Sequence, residues 1–151
     1  MKIRTDYVTN SSSSSFILGF NHIDDIESTI RSELPDYWSD KAIQSVIDDI
    51  EDGIISKSTA LDLYESNIWE SSLMFNGKSY WDMKRSERDS DEYKTFVQQT
   101  KTNMRNEFAD ELASYDVFAV VEYEDHTDFG CTMEHNVMPN LSCTIHRISH
   151  H

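Results

Sequence analysis

The chain predicts an α+β fold: an N-terminal strand joined to a C-terminal antiparallel meander, with a mostly helical segment packed on one face of the sheet. Three observations carry this. The run Phe16-Ile17-Leu18-Gly19-Phe20 is short, apolar and abruptly bounded, as a buried strand is. Residues 22–114 repeat apolar positions at helical spacing. Residues 117–148 carry short runs rich in Val, Ile and Thr with period-two alternation. A length of 151 residues and 38% hydrophobic content fit one domain spanning 1–151 with a sizeable core.

Taken in order, Lys2–Val8 reads as a first short strand. Ser11–Ser15 is either a loop or a polar continuation of the strand that includes Phe16. Asn21 can cap a helix whose apolar face is Ile23, Ile26, Ile30 and Leu34, and Pro35 ends it. Ser39 opens a second helix with Ala42, Ile43, Val46, Ile47 and Ile50 on one side, and Gly53 stands where a C′ glycine would. A third helix covers 58–65. Asn76-Gly77 between apolar runs favours a hairpin within 66–84, with a helix end as the alternative. Asp89, with Glu92 three positions on, starts a long helix with the stripe Tyr93, Phe96, Val97, Thr100, Met104, Phe108 and Leu112, which is read as core packing.

The meander comprises Val117–Tyr123, Cys131–His135 and Leu141–Ile148. If Asn136–Asn140 is the loop and His135 faces Leu141, then Met133 opposes Cys143 and Cys131 opposes Ile145. Cys131, Met133, Leu141, Cys143 and Ile145 then form a core face, while Glu134 and His146 face solvent.

Charge and composition exclude several classes. The net charge is −15, with −11 concentrated in residues 22–114 and −5 in residues 115–151. Direct contact with nucleic acid or an anionic membrane is disfavoured by that sign. No apolar run approaches the roughly 20 residues of a membrane-spanning helix, and the N-terminus has no secretory pattern. Two cysteines make no disulfide framework, so a reduced, cytoplasmic setting is expected.

Two functional readings follow. The first is a non-catalytic binding protein that meets a basic protein partner. Its densest acidic patch is Asp48, Asp49, Glu51 and Asp52, and no cofactor is expected. The bland use of those four is a solvated helix end. An inhibitor that mimics nucleic-acid charge is one specific form. The second reading is a metal-dependent hydrolase or nuclease. Residues 116–151 hold both cysteines and five of the six histidines. Cys131, His135, Cys143 and His146 are the residue types of a zinc site, but the hairpin register separates them. Turns and the chain end can still gather His126, Asp128, Glu134 and His150. With His135 and His146, these are the candidate ligands for zinc or another divalent ion, Glu134 doubling as a general base. Whether the protein is an enzyme, its partner or substrate, and its oligomeric state are not set by the sequence.

The opening MKIRTDYVTNSSSSSFIL resembles a signature of small bacterial and phage proteins. It is carried by Lys2, Arg4, Tyr7-Val8-Thr9-Asn10, Ser11–Ser15 and Phe16, and the ending Arg147–His151 is similar in the same setting. The resemblance implies a prokaryotic or viral source, with a mobile genetic element as one origin. It brings no activity with it.

Overall fold

The computed structural model describes residues 13–150. The strand expected over Lys2–Val8, the first two serines of the run and His151 lie outside them. In chain order the elements are β1 (Ser13–Phe20), α1 (Asp25–Glu33), α2 (Asp40–Asp52), β2 (Ile54–Ile55), α3 (Lys57–Ser66), α4 (Arg85–Arg88), α5 (Asp91–Leu112), β3 (Val117–Glu124), α6 (Asp128–Thr132) and β4 (Thr144–Ser149). The fold is α+β. Residues up to Ala60 and from Ala113 onward form one compact unit, and Leu61–Leu112 forms another.

The first unit is built on a four-stranded antiparallel sheet in the order β2-β3-β1-β4. The N-terminal and C-terminal strands are therefore direct partners, and β1 lies in the interior of the sheet. Pairing sets Phe16 against Val121 and Leu18 against Ala119. With Phe20 and Tyr123 these residues form one face of the sheet, since side chains alternate along a strand. Ile26, Ile30 and Leu34 of the α1 region and Val46, Ile47 and Ile50 of α2 join them in the core. Phe16, Leu18, Ile30, Val46 and Ile50 are wholly buried, and each large apolar side chain withdrawn in this way contributes about 1.5–3 kcal/mol.

The helices begin and end for local reasons. The Ser39 hydroxyl accepts a hydrogen bond from the Ala42 amide at 3.1 Å, satisfying a donor that the first turn of α2 cannot. In α1 the buried stripe starts at Ile26; Ile23 precedes the helix and is 54% exposed. Gly53 does stand at the end of α2, but not in the left-handed conformation of a C′ glycine: its φ is −95°. Its requirement is space. A β-carbon there would fall 2.1 Å from the Val120 carbonyl oxygen, because β3 passes directly alongside and the Val120 amide donates to the Gly53 carbonyl.

The middle strand of the expected meander is not a strand. Residues 128–140 form a helical crossover: α6, then a π-helical turn over Met133–Val137, then a 3-10 turn over Met138–Asn140. The Thr127 hydroxyl accepts from the Gly130 amide at 2.9 Å and starts the helix. Gly130 lets it begin beside the end of β3, since a β-carbon there would lie 1.9 Å from the Glu124 carbonyl oxygen. The apparent alternation of Cys131, Met133 and His135 is thus part of a helical pattern. Met133, Met138 and Leu141 enter the core with Cys143, while Cys131 is exposed. The hairpin register falls with the strand: β4 pairs with β1, not with 131–135. Glu134, assigned to a solvent face, is completely buried.

In the second unit, α5 supplies the longest helix. The Ser90 hydroxyl, not Asp89, receives the Tyr93 amide at its start. Phe108 stacks on Tyr64 with ring centroids 4.1 Å apart, and Phe75 meets Tyr93 and Phe96 at 5.4 and 5.0 Å. Asn76-Gly77 does form a tight turn, with φ of 50° and 76° and paired Phe75 and Lys78. No hairpin strands extend from it; short 3-10 turns at Glu70–Ser72 and Tyr80–Asp82 lie on either side. No helix among the described residues is long and apolar enough to cross a membrane.

Candidate functional site

A buried polar network occupies the beginning of β1. Ser14 shares a sheet face with Phe16, and pairing sets Phe16 against Arg147 of β4. Arg147 therefore reaches over the same face, with its guanidinium 5.7 Å from the centre of the Phe16 ring. Its Nε donates to Ser14 Oγ at 3.0 Å, and its Nη2 lies 3.2 Å from Glu134 Oε1. Ser14 Oγ donates in turn to the same Glu134 oxygen at 2.8 Å. One serine hydroxyl thus accepts from the cation and donates to the carboxylate, and Glu134 Oε1 is doubly satisfied.

The second oxygen of Glu134 is different. Oε2 is buried and accepts no hydrogen bond among the described residues. His135 Nε2 stands 3.7 Å from it, beyond hydrogen-bond range. One donor atom each from Asp125, Glu134 and His135 all lie within 4.8 Å of one another. Asp125 arrives from the end of β3 and is half-buried, while His135 is exposed. A carboxylate withdrawn from water needs charge and hydrogen-bond compensation. Arg147 and Ser14 supply it on one side only.

The other sequence candidates are dispersed. His126 Nδ1 is 2.8 Å from Glu124 Oε2 at the exposed turn after β3. Asp128 sits in the exposed first turn of α6. His150 Nε2 meets Ser15 Oγ at 2.8 Å, and Ser15 also donates to Glu122 at 3.1 Å. Ser15 follows Ser14 and so serves the opposite face of the sheet. His146 lies on β4, half-buried. Of the six expected ligands, Glu134 and His135 meet. Asp125, Ser14 and Arg147 escaped the sequence reading, although one signal was present: Arg147 is the single basic residue of 115–151.

The cysteines do not converge with the histidines. Cys143 is buried, and burial together with the charge of Glu33 pushes its thiol up to about 12. Glu33 is held in place by the Ser142 amide, which donates at 2.7 Å, and by the Ser142 hydroxyl.

The acidic patch of α2 is a separate surface. Asp48, Asp49, Glu51 and Asp52 are all exposed. Asp48 accepts from the Gln44 amide at 2.9 Å and Asp49 from the Tyr123 hydroxyl at 3.0 Å. Burial and the Asp49 charge hold that hydroxyl far above the usual tyrosine range. Among the described residues none of the four carboxylates is in a salt bridge. An open groove runs beside them, lined by Asp40, Lys41, Gln44, Ser45, Asp48 and Asp49.

What these elements define is an α+β protein with a buried Ser-Arg-Glu network and an acidic helix surface. No protein-family model matches the chain, and no match was found among curated proteins or solved structures.

Proposed function

We propose that this chain is a small acidic binding protein of the cytoplasm, non-catalytic, that engages a protein partner with a basic surface through the exposed side of α2. The observation that supports this is the set Asp48, Asp49, Glu51 and Asp52: four exposed carboxylates on one helix, none neutralised by a cation among the described residues, in a chain of net charge −15. Such a field accelerates encounter with a positively charged partner and repels nucleic acid and anionic lipid. An inhibitor that imitates nucleic-acid charge, encoded by a mobile element, is the specific form that the opening signature suits.

The test is capture from bacterial lysate on immobilised protein, at low and at high salt, with wild type and an Asp48→Asn/Asp49→Asn/Glu51→Gln/Asp52→Asn variant. Basic proteins should be held by the wild type at low salt, released at high salt and lost with the variant. Each substitution is at an exposed site and should change stability by no more than about 0.5 kcal/mol. Loss of capture therefore reports on the surface. A wild type that holds nothing at low salt removes the reading.

The second reading, a hydrolase or nuclease using zinc or another divalent ion, has one observation in its favour: Glu134 and His135 do meet. His126, Asp128, His146 and His150 are not brought to that centre, so the ligand set expected from sequence does not assemble around it.

A further inference from the structure

Glu134 presents an asymmetry that its protein neighbours do not resolve. Oε1 receives Ser14 and Arg147, yet Oε2, equally buried, receives nothing among the described residues. Leaving a buried acceptor unsatisfied is costly, and more so for a charged group. The orphan oxygen lies 3.7 Å from the His135 imidazole nitrogen. The three donor atoms of Asp125, Glu134 and His135 sit within 4.8 Å of one another. Oxygen and nitrogen ligands of a first-row divalent ion lie about 2.0–2.2 Å from it, which places them roughly 3–4 Å from each other. A closure of about an ångström, which the exposed His135 side chain can make by rotation, completes that arrangement.

We propose that Asp125, Glu134 and His135 bind one divalent transition-metal ion, of the zinc or manganese class. Two carboxylates and an imidazole form a mixed oxygen and nitrogen set. The imidazole argues against magnesium or calcium, which take oxygen ligands, and the lack of a thiol argues against a copper(I) or thiolate-type site. Arg147 and Ser14 act behind the ligand: they fix Oε1 and leave Oε2 to face the ion, the outer contact that metal-bound carboxylates ordinarily have. The π-helical turn matters here. Adjacent residues of a regular helix project about 100° apart, whereas Glu134 and His135 bring their functional atoms to 3.7 Å inside the wider turn. Single π-turns concentrate at functional positions for this kind of reason. A bound ion would tie the end of β3 to the middle of the crossover, and the exposed side of His135 leaves room for water or a further ligand. This site is independent of the α2 surface.

The test uses untagged, chelator-treated and dialysed protein, titrated separately with Zn²⁺ and Mn²⁺ by calorimetry and by thermal midpoint. One ion per chain should bind for at least one metal, with a rise in midpoint. His135→Ala and Asp125→Asn alter accessible side chains; each should weaken binding by at least roughly tenfold, the lower end of the effect seen even for outer-contact changes. Glu134→Gln should abolish it; where that variant does not fold, the other two decide. A His150→Ala/His151→Ala variant should bind as wild type does. No binding of either ion, or binding that survives His135→Ala and vanishes with the terminal histidines, overturns the proposal.

Discussion

Glu134 and the four carboxylates of α2 are the same chemical group, Glu51 having even the same side chain, in opposite settings. On α2 the charges stand in water, where each costs little and their effect is a long-range field that salt can screen. Glu134 is wholly buried, held by one arginine and one serine from the two strands that pair at the chain ends. There the carboxylate is short-range and directional, and its local partners decide everything. The same residue type is therefore tolerant of change in one region and intolerant in the other. A sequence count of acidic residues gives no hint of which is which.

The largest effect should come from separating the buried pair. Arg147→Met leaves Glu134 buried without its cation and should lower stability by about 3 kcal/mol, near the lower end for a broken buried pair because the Arg147 side chain is one-third exposed. Chemical denaturation reads it. Adding Glu134→Gln to that variant should restore part of the loss. A loss below about 1 kcal/mol would put Glu134 on the footing of a surface acid and erase the contrast.

Next is the placement of the crossover. Gly130→Ala forces a β-carbon toward the Glu124 carbonyl, where the gap is only 1.9 Å. α6 must move, at a cost of about 1–3 kcal/mol, again measured by denaturation. An unchanged midpoint would mean that α6 yields readily at its contact with the end of β3.

The smallest effect extends the comparison to the thiols, one exposed and one buried. Cys143 is held protonated, so it favours the folded state below its ordinary pKa of 9.0, and that contribution is lost as pH rises toward about 12. At pH 10 the loss should be about 1.4 kcal/mol relative to a Cys143→Ala variant followed over the same range. In the native protein a thiol reagent should modify Cys131 and spare Cys143. Rapid native modification of both would show that the buried setting opens easily.

Much of the fold was legible. The apolar run at Phe16, the Ser39 cap and the stripes of Ile26 and Ile30, Val46, Ile47 and Ile50, and Tyr93 and Phe108 all depend on neighbours within a few positions. Local periodicity and capping suffice to reveal them. The candidate site is legible in part: the sequence points to Glu134 and His135 as ligand types but not to their surroundings. Period-two spacing at Cys131, Met133 and His135 suggested a strand. A Thr127 cap, a glycine at the point of contact and a π-turn made it helical instead. Those signals are short, and they gain force only where the end of β3 is already in place.

The amino-acid order by itself determined the elements that bury an apolar face and the negative charge of the chain. Only the tertiary structure decided that Glu134 lies inside, that Ser14 and Arg147 attend it, and that Asp125 and His135 gather beside it. The reason is distance along the chain. Ser14 and Glu134 are 120 positions apart, and no local preference encodes their encounter. It is set by the pairing of β1 with β4 and by a crossover that packs Met133 and Met138 into the core, carrying the intervening Glu134 with them.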